Sequence, residues 1–281
     1  MSASARRQQI SRMTQELGFC SIRDFGEALG VSEMTIRRDV VKLSARGVLH
    51  QVFGGVTRLS DPSVLGTDYR IRLRSHALEK KLIGARAAQL IPKGAVVAID
   101  SGTTALAVAQ NLAFDVDATV VTASLPAINH LRGVQGVEVV VPGGILRPEL
   151  EAFAGPLTLA SIKQLRVSIF FVGASGVCDD GIYCANQFDV LTKRALIKSA
   201  QKVILLADSS KFVDITAMMQ VAELDSVDTV IVDSGIPEFA QEYLRAADVT
   251  VIEVKAEDEK KSTPKIRPDS GDDTSAATRR P

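Results

Sequence analysis

A chain of 281 residues with 46% hydrophobic content is long enough to bury more than one core. No apolar run approaches the roughly 20 residues that cross a bilayer, and MSASARRQQI lacks the apolar core of a signal peptide, so a cytoplasmic protein with no membrane partner is expected. The formal net charge is zero but unevenly spread: residues 1–86 carry 15 Lys or Arg against 8 Asp or Glu, the remainder 18 against 25, which points to a polyanionic partner for the first segment.

Ile10, Met13 and Leu17 recur at helical spacing, and Gly18 stands where such a helix would stop. Ser21 is placed to cap a second helix with Ile22, Phe25 and Leu29 on one face, ending at Gly30. Ser32 can cap a third, with Glu33 at its positive end and Ile36, Val40 and Leu43 turned inward. Three short helices with a tight turn between the last two predict a helix-turn-helix.

That arrangement leaves Thr35, Arg37 and Arg38 outward on the third helix. On an isolated helix Glu33 would pair with Arg37, worth about 0.3 kcal/mol, and Asp39 would lie on a solvated face. On the second helix of this motif the same guanidinium groups reach phosphates and base edges, where a bidentate arginine discriminates by about 1 to 3 kcal/mol. The place of the arginines in the motif favours the second reading. Two β-prone runs, 48–52 and 56–59, flank Gly54-Gly55 and predict a hairpin wing. Such a wing would lay His50, Gln51 or Arg58 along DNA, or would merely cover the helices.

Residues 6–59, with VSEMTIRRDV and the GVL...FGGV segment, resemble the winged helix-turn-helix of the DeoR family of bacterial transcription regulators. The resemblance makes the third helix the DNA-reading one and gives that role to Ser32, Thr35, Arg37 and Arg38, with His50 and Arg58 as further candidates on the wing. Where the family commonly carries a basic residue before its wing glycines, this chain reads Gln51-Val52-Phe53.

Residues 60–78 break the periodicity with Pro, Gly and polar residues before a basic patch at Arg70, Arg72 and Arg74, and read as an interdomain linker. From Glu79 to residue 254, helical stretches alternate with the apolar strands VVAID, TVVTA, VEVVV, VSIFFVG, KVILLAD and DTVIVD, predicting an α/β domain with a mostly parallel sheet covered on both faces. Residues 255–281 are charged, almost free of apolar side chains, and expected to be disordered.

The segments after the strands turn small or polar: DSGTT at 100–104, TASLP at 122–126, PGGIL at 142–146, GASG at 173–176 and ADSSK at 207–211. Each has a plain explanation. Ser101 or Thr103 would cap a helix, Gly143-Gly144 would allow a turn, Asp100 and Asp208 would cap backbone N–H groups, and Lys193 and Lys211 would be solvated. Convergence of five such loops on one edge of one sheet favours a ligand crevice instead, with helix N-termini suited to an anion.

The strings DSGTT, VTASLP, VPGGILR, FVGASGV...GIY and ADSSKF over residues 79–252 resemble the C-terminal sensor domain of the same family. The resemblance implies a fold related to sugar-phosphate isomerases and CoA transferases and a phosphorylated sugar or related metabolite as effector. It makes Gly102, Thr103 and Thr104 the phosphate cradle and Lys211 a counter-charge. Asp100 and Asp208 become acceptors for sugar hydroxyls, with Ser124, Gly144, Arg147, Ser175 and Lys193 around the rim. The chain has Ala123 where the family often has Asn.

A sugar-phosphate isomerase-like enzyme is the alternative, with Asp100 or Asp208 shuttling a proton beside Lys211. It explains the second domain but not the helix-turn-helix. Cys20, Cys178 and Cys184 read as free thiols, Asp179-Asp180-Gly181 as a turn, and neither a metal nor a cofactor is expected. Double-stranded DNA is the expected macromolecular partner, and a homodimer or higher homo-oligomer the expected assembly, because helix-turn-helix proteins usually read paired half-sites.

Overall fold

The computed structural model describes residues 2–17, 19–45, 48–52, 55–58, 69–113, 116–213, 217 and 219–255. Its N-terminal part contains α1 (Ala3–Leu17), β1 (Phe19–Ser21), α2 (Ile22–Leu29), α3 (Glu33–Ala45), β2 (Leu49–Val52) and β3 (Gly55–Arg58). Ser21 caps α2 through a complete capping box, its hydroxyl accepting from the Asp24 N–H at 3.0 Å while Asp24 accepts from the Ser21 N–H at 3.2 Å. Gly30 ends α2 at φ 65°, where a side chain would be strained. Ile10, Cys20, Ile22, Phe25, Ile36, Val40, Leu43, Leu49 and Val56 form one buried core.

Three features differ from the expectation. Leu17 is exposed, and Thr14 takes an inward place instead, its hydroxyl bonded to the Ile10 carbonyl at 2.7 Å. The wing is three-stranded, in the order β1-β3-β2 and antiparallel throughout, because the short strand between α1 and α2 pairs with β3. Asp39 is not on a solvated face: it is buried on the stripe of Ile36, Val40 and Leu43, and it accepts from Arg6 at 2.6 Å with Arg7 at 3.9 Å. A buried carboxylate needs such partners, and here they tie α1 to α3. The Phe53-Gly54 part of the expected hairpin turn lies outside the described residues, as does 59–68.

The last part of the stretch expected as a linker is helical: α4 (Tyr69–Arg74) precedes α5 (Ala77–Ala88). There follow β4 (Ala95–Ile99), α6 (Thr103–Gln110), β5 (Ala118–Val121), α7 (Leu125–Leu131), β6 (Val137–Val140), β7 (Ile145–Arg147), β8 (Ala152–Ala154), α8 (Pro156–Ile162) and β9 (Val167–Gly173). The remainder comprises β10 (Gly176–Cys178), β11 (Gly181–Cys184), α9 (Gln187–Ser199), β12 (Ala200–Leu206), β13 (Met219–Ala222), β14 (Thr229–Asp233), α10 (Glu238–Ala246) and β15 (Thr250–Val254), with short 3-10 turns at Ser209–Phe212 and Leu224–Ser226.

Seven strands form one parallel sheet in the order β15-β14-β12-β9-β4-β5-β6. The six strands expected from sequence are all in it, and β15 adds a seventh. Alternation along each strand feeds two cores. Ala98, Phe170, Val172, Val203 and Leu205 pack on one face with residues of α8, α9 and α10, and Val97, Ile99, Ile169, Phe171 and Ile204 on the other with residues of α5, α6 and α7. On the second face α5 and α6 approach so closely that a Cβ at Gly84 would lie 2.4 Å from the Ala107 backbone carbon. A hairpin of β7 and β8 and an antiparallel sheet of β10, β11 and β13 complete the domain. The latter contains the expected turn at Asp179-Asp180, where the Cys178 thiol and the Tyr183 hydroxyl donate to Asp180 at 2.8 and 2.7 Å. All three cysteines are free. Residues 256–281, expected to be disordered, lie outside the described residues.

Candidate functional site

All seven strands of the parallel sheet run the same way, so the five polar loops share its carboxyl edge. From β4 the chain proceeds outward through β5 and β6 on one side, and from β9 through β12, β14 and β15 on the other. The order therefore reverses between β4 and β9, where neighbouring loops diverge and leave a crevice. A cavity of about 100 Å³ occupies that point. Asp100, Ser101, Gly102, Thr103 and Thr104 line it from the β4 loop, Gly173, Ala174 and Ser175 from the β9 loop, and Lys211 from the turn after β12.

The first turn of α6 opens into this cavity. Gly102 is its N-cap and offers no side-chain bond, which leaves the backbone donors of the first turn without the usual capping oxygen. Free N–H groups and the positive end of the helix dipole together favour an anion. Cations reinforce this: Arg72, Lys80, Lys193 and Lys211 line the cavity against two carboxylates, Asp100 and Asp189.

Asp100, just after β4, and Lys193, on α9 and 93 residues further along the chain, are both buried and form an ion pair at the cavity floor. Asp189 stands 3.4 Å from the same ammonium, and the Gly173 N–H donates to Asp100 at 3.0 Å. Burial works against the charge on Lys193, but Asp100 and Asp189 outweigh it and hold the ammonium above the usual lysine range. Burial likewise pushes the Asp100 carboxyl up, opposed by Lys193. The carboxylate read from sequence as an acceptor for sugar hydroxyls thus has its charge matched inside the protein.

Asp208 does not line the cavity. It is buried behind the lysines and caps the turn at Ser209–Phe212, accepting from the Ser210 N–H at 3.2 Å, with Lys211 at 4.0 Å. Burial would raise its pKa, but Lys211, His76, Ser210 and Lys80 together hold it below the ordinary carboxylate value. Ser124, Gly144 and Arg147 also stand away from the cavity lining. Ser124 is fully buried and caps α7 by accepting from the Ala127 N–H at 3.3 Å. Gly144, at φ 116°, passes so near α8 that a Cβ would meet Thr158 Oγ1 at 2.1 Å. Arg147 stacks over the Phe188 ring at 4.2 Å. These three have structural work that their loops explain.

Sequence reasoning missed Lys80. It is buried, it lines the cavity, and it donates to the Arg72 and Ser75 carbonyls of the α4–α5 corner. Burial pushes its pKa down to about 7, with Asp208 opposing and Lys211 and Arg72 adding to the fall. The signal was present: positions 80, 83, 84 and 87 share one buried face of α5.

In the N-terminal part, Ser32 and Thr35 open α3 with hydroxyls 3.0 Å apart. The side chains of Arg37 and Glu33 are 57% and 54% exposed and 3.8 Å apart, and Arg38 is exposed beside them. His50 and Arg58 sit opposite Thr57 and Leu49 in the wing, and their side chains lie outside the described residues. Among the described residues no helix is long and apolar enough to cross a membrane.

Two family models match the chain: the DeoR-like helix-turn-helix domain over residues 6–61 and the DeoR C terminal sensor domain over residues 75–234. An L-fucose operon activator of Haemophilus influenzae is 30% identical over 88% of this chain and 98% of its own length. A glycerol-3-phosphate regulon repressor of the same organism is 33% identical over 87% and 94%. Among solved structures, ribose 5-phosphate isomerase A of Methanocaldococcus jannaschii is 17% identical with a TM-score of 0.37, covering 50% of this chain and 56% of that one. The two full-length relatives are regulators of transcription by name, as the helix-turn-helix requires, and this chain is a DNA-binding regulator and not an enzyme. It belongs to the DeoR family of transcriptional regulators.

Proposed function

We propose that the protein represses a sugar catabolic operon and is relieved when a phosphorylated sugar or related metabolite fills the cavity between β4 and β9. The observation that carries this reading is the uncapped first turn of α6 opening on a cavity whose cations outnumber its carboxylates. The phosphate sits against Gly102, Thr103 and Thr104 with Lys211, Lys80 and Arg72 as counter-charges, Ser175 lies at the rim, and Asp100 with Lys193 forms a fixed floor. Asp208 holds the lysines from behind.

On the DNA side, α3 presents Ser32, Thr35, Arg37 and Arg38 to base edges and phosphates, with His50 and Arg58 following on the wing. The protein works in the cytoplasm as a homodimer or higher homo-oligomer on paired half-sites. The relatives' names, an operon activator and a regulon repressor, support control of a carbon-source operon. The test is fluorescence anisotropy of the full-length protein on its own upstream DNA at fixed salt, with a panel of phosphorylated sugars. Specific binding relieved by one compound is expected. No specific binding, together with conversion of a panel compound, would overturn the reading in favour of an isomerase-like enzyme.

A further inference from the structure

Helix α4 touches both halves of the molecule. It packs against β1 and α6, and the Arg74 guanidinium donates to the Leu17 carbonyl at the end of α1, at 3.0 Å. Arg72, two residues earlier, lines the cavity. The corner that follows is fixed from the cavity side, because the Lys80 ammonium bonds the Arg72 and Ser75 carbonyls. His76, between α4 and α5, adopts φ 50°, a left-handed conformation unusual for a side-chain-bearing residue.

We propose that Lys80 and α4 form the coupling element that passes occupancy of the cavity to the DNA-binding half, a role that rests on the anion-pocket reading above. An ammonium has three protons, and the two carbonyls are the hydrogen-bond acceptors Lys80 has among the described residues. An anion in the cavity takes the third without displacing the other two and also meets Arg72. Both contacts hold α4 down, and through Arg74 they hold the end of α1. The anion therefore binds the docked arrangement of α4 better than any undocked one, which is the differential affinity a population shift requires. Exposed Arg74 serves only the transmission, so removing it separates binding from response.

The experiment uses full-length wild type and Arg74→Ala with inorganic phosphate as probe. Phosphate binding is measured by calorimetry, backbone exchange of residues 69–75 by hydrogen–deuterium exchange, and affinity for the upstream DNA by anisotropy at constant ionic strength. In the wild type, phosphate is expected to slow exchange in α4 and to change DNA affinity by a factor that reappears as the effect of DNA on phosphate affinity. Arg74→Ala is expected to bind phosphate as the wild type does while that factor falls to one. Equal factors in both proteins would overturn the coupling role and leave the pocket intact, as would phosphate binding that moves neither exchange nor DNA affinity in the wild type. No phosphate binding by the wild type would overturn the pocket reading, and the coupling role with it.

Discussion

The two ends of this molecule use charge in opposite ways. On α3, Arg37 is 57% exposed and loosely paired with Glu33 at 3.8 Å, so it keeps its hydration until a partner takes it. At the cavity floor, Lys193 and Asp100 are almost wholly buried and spend their charge on each other. An exposed arginine contributes little to folding and can be given up to a polyanion. A buried pair fixes geometry, and losing one member strands the other in a medium that solvates it poorly. Substitutions in the first region should therefore move binding without stability, and those in the second should move stability first.

The largest expected effect is that of Lys193→Met, which leaves Asp100 buried without its counter-ion and should lower unfolding free energy by about 3 to 5 kcal/mol in urea titrations. The double variant with Asp100→Leu should recover much of the loss; a single variant as stable as the wild type would contradict the buried pair. Next comes Asp39→Ala, which removes the clamp of Arg6 on α3 and should cost about 1.5 to 3 kcal/mol. Thermal melts should show the loss in the helix-turn-helix unit, and its absence would mean that the α1–α3 contact is maintained by the apolar core alone.

Arg37→Ala sharpens the contrast from the other side. Stability should stay within about 0.5 kcal/mol of the wild type, while specific DNA binding weakens by about 1 to 3 kcal/mol. An unchanged DNA affinity would take Arg37 out of the reading surface. The smallest effect is a pH slope from Lys80. Folded, its ammonium titrates near 7 because it is buried, and unfolded near the usual 10.5, so between those values the unfolded chain holds more protons. Lys80 should thus add about 1 to 2 kcal/mol of stability to the empty protein from pH 7 to 8.5, offset in part by the three thiols, which burial holds protonated in the folded protein and which begin to ionise there in the unfolded chain. Lys80→Met should lose that gain while keeping the thiol contribution, and an equal slope in the two proteins would assign it elsewhere.

The layout of this chain was legible because it follows local rules. Capping by Ser21, the stop at Gly30 and the apolar runs of six sheet strands each depend on a few neighbouring residues. What remained hidden were partnerships across long sequence distance. Asp39, Lys80 and Lys193 each lie on the apolar stripe of a helix, beside Ile36 and Val40, Ile83 and Ala87, and Val190 and Leu196. That spacing announces a buried charge. It does not name Arg6, the Ser75 carbonyl or Asp100 as the group that meets it, because those contacts arise only when the elements pack. Ser124 and Gly144 show the converse: loops that converge on the right edge still contain residues whose task is to cap α7 or to let α8 approach. Strand β1 was missed because three residues are too few to show an alternation.

An anion in the cavity is expected to control the grip of α3 on DNA. The most direct measurement is the affinity of the full-length protein for its upstream DNA in the presence of a sugar phosphate that binds it, against the same sugar without the phosphate, at matched ionic strength. The phosphorylated compound should shift DNA affinity and the neutral sugar should leave it unchanged. Equal effects from both, or a shift produced by the neutral sugar alone, would contradict such control.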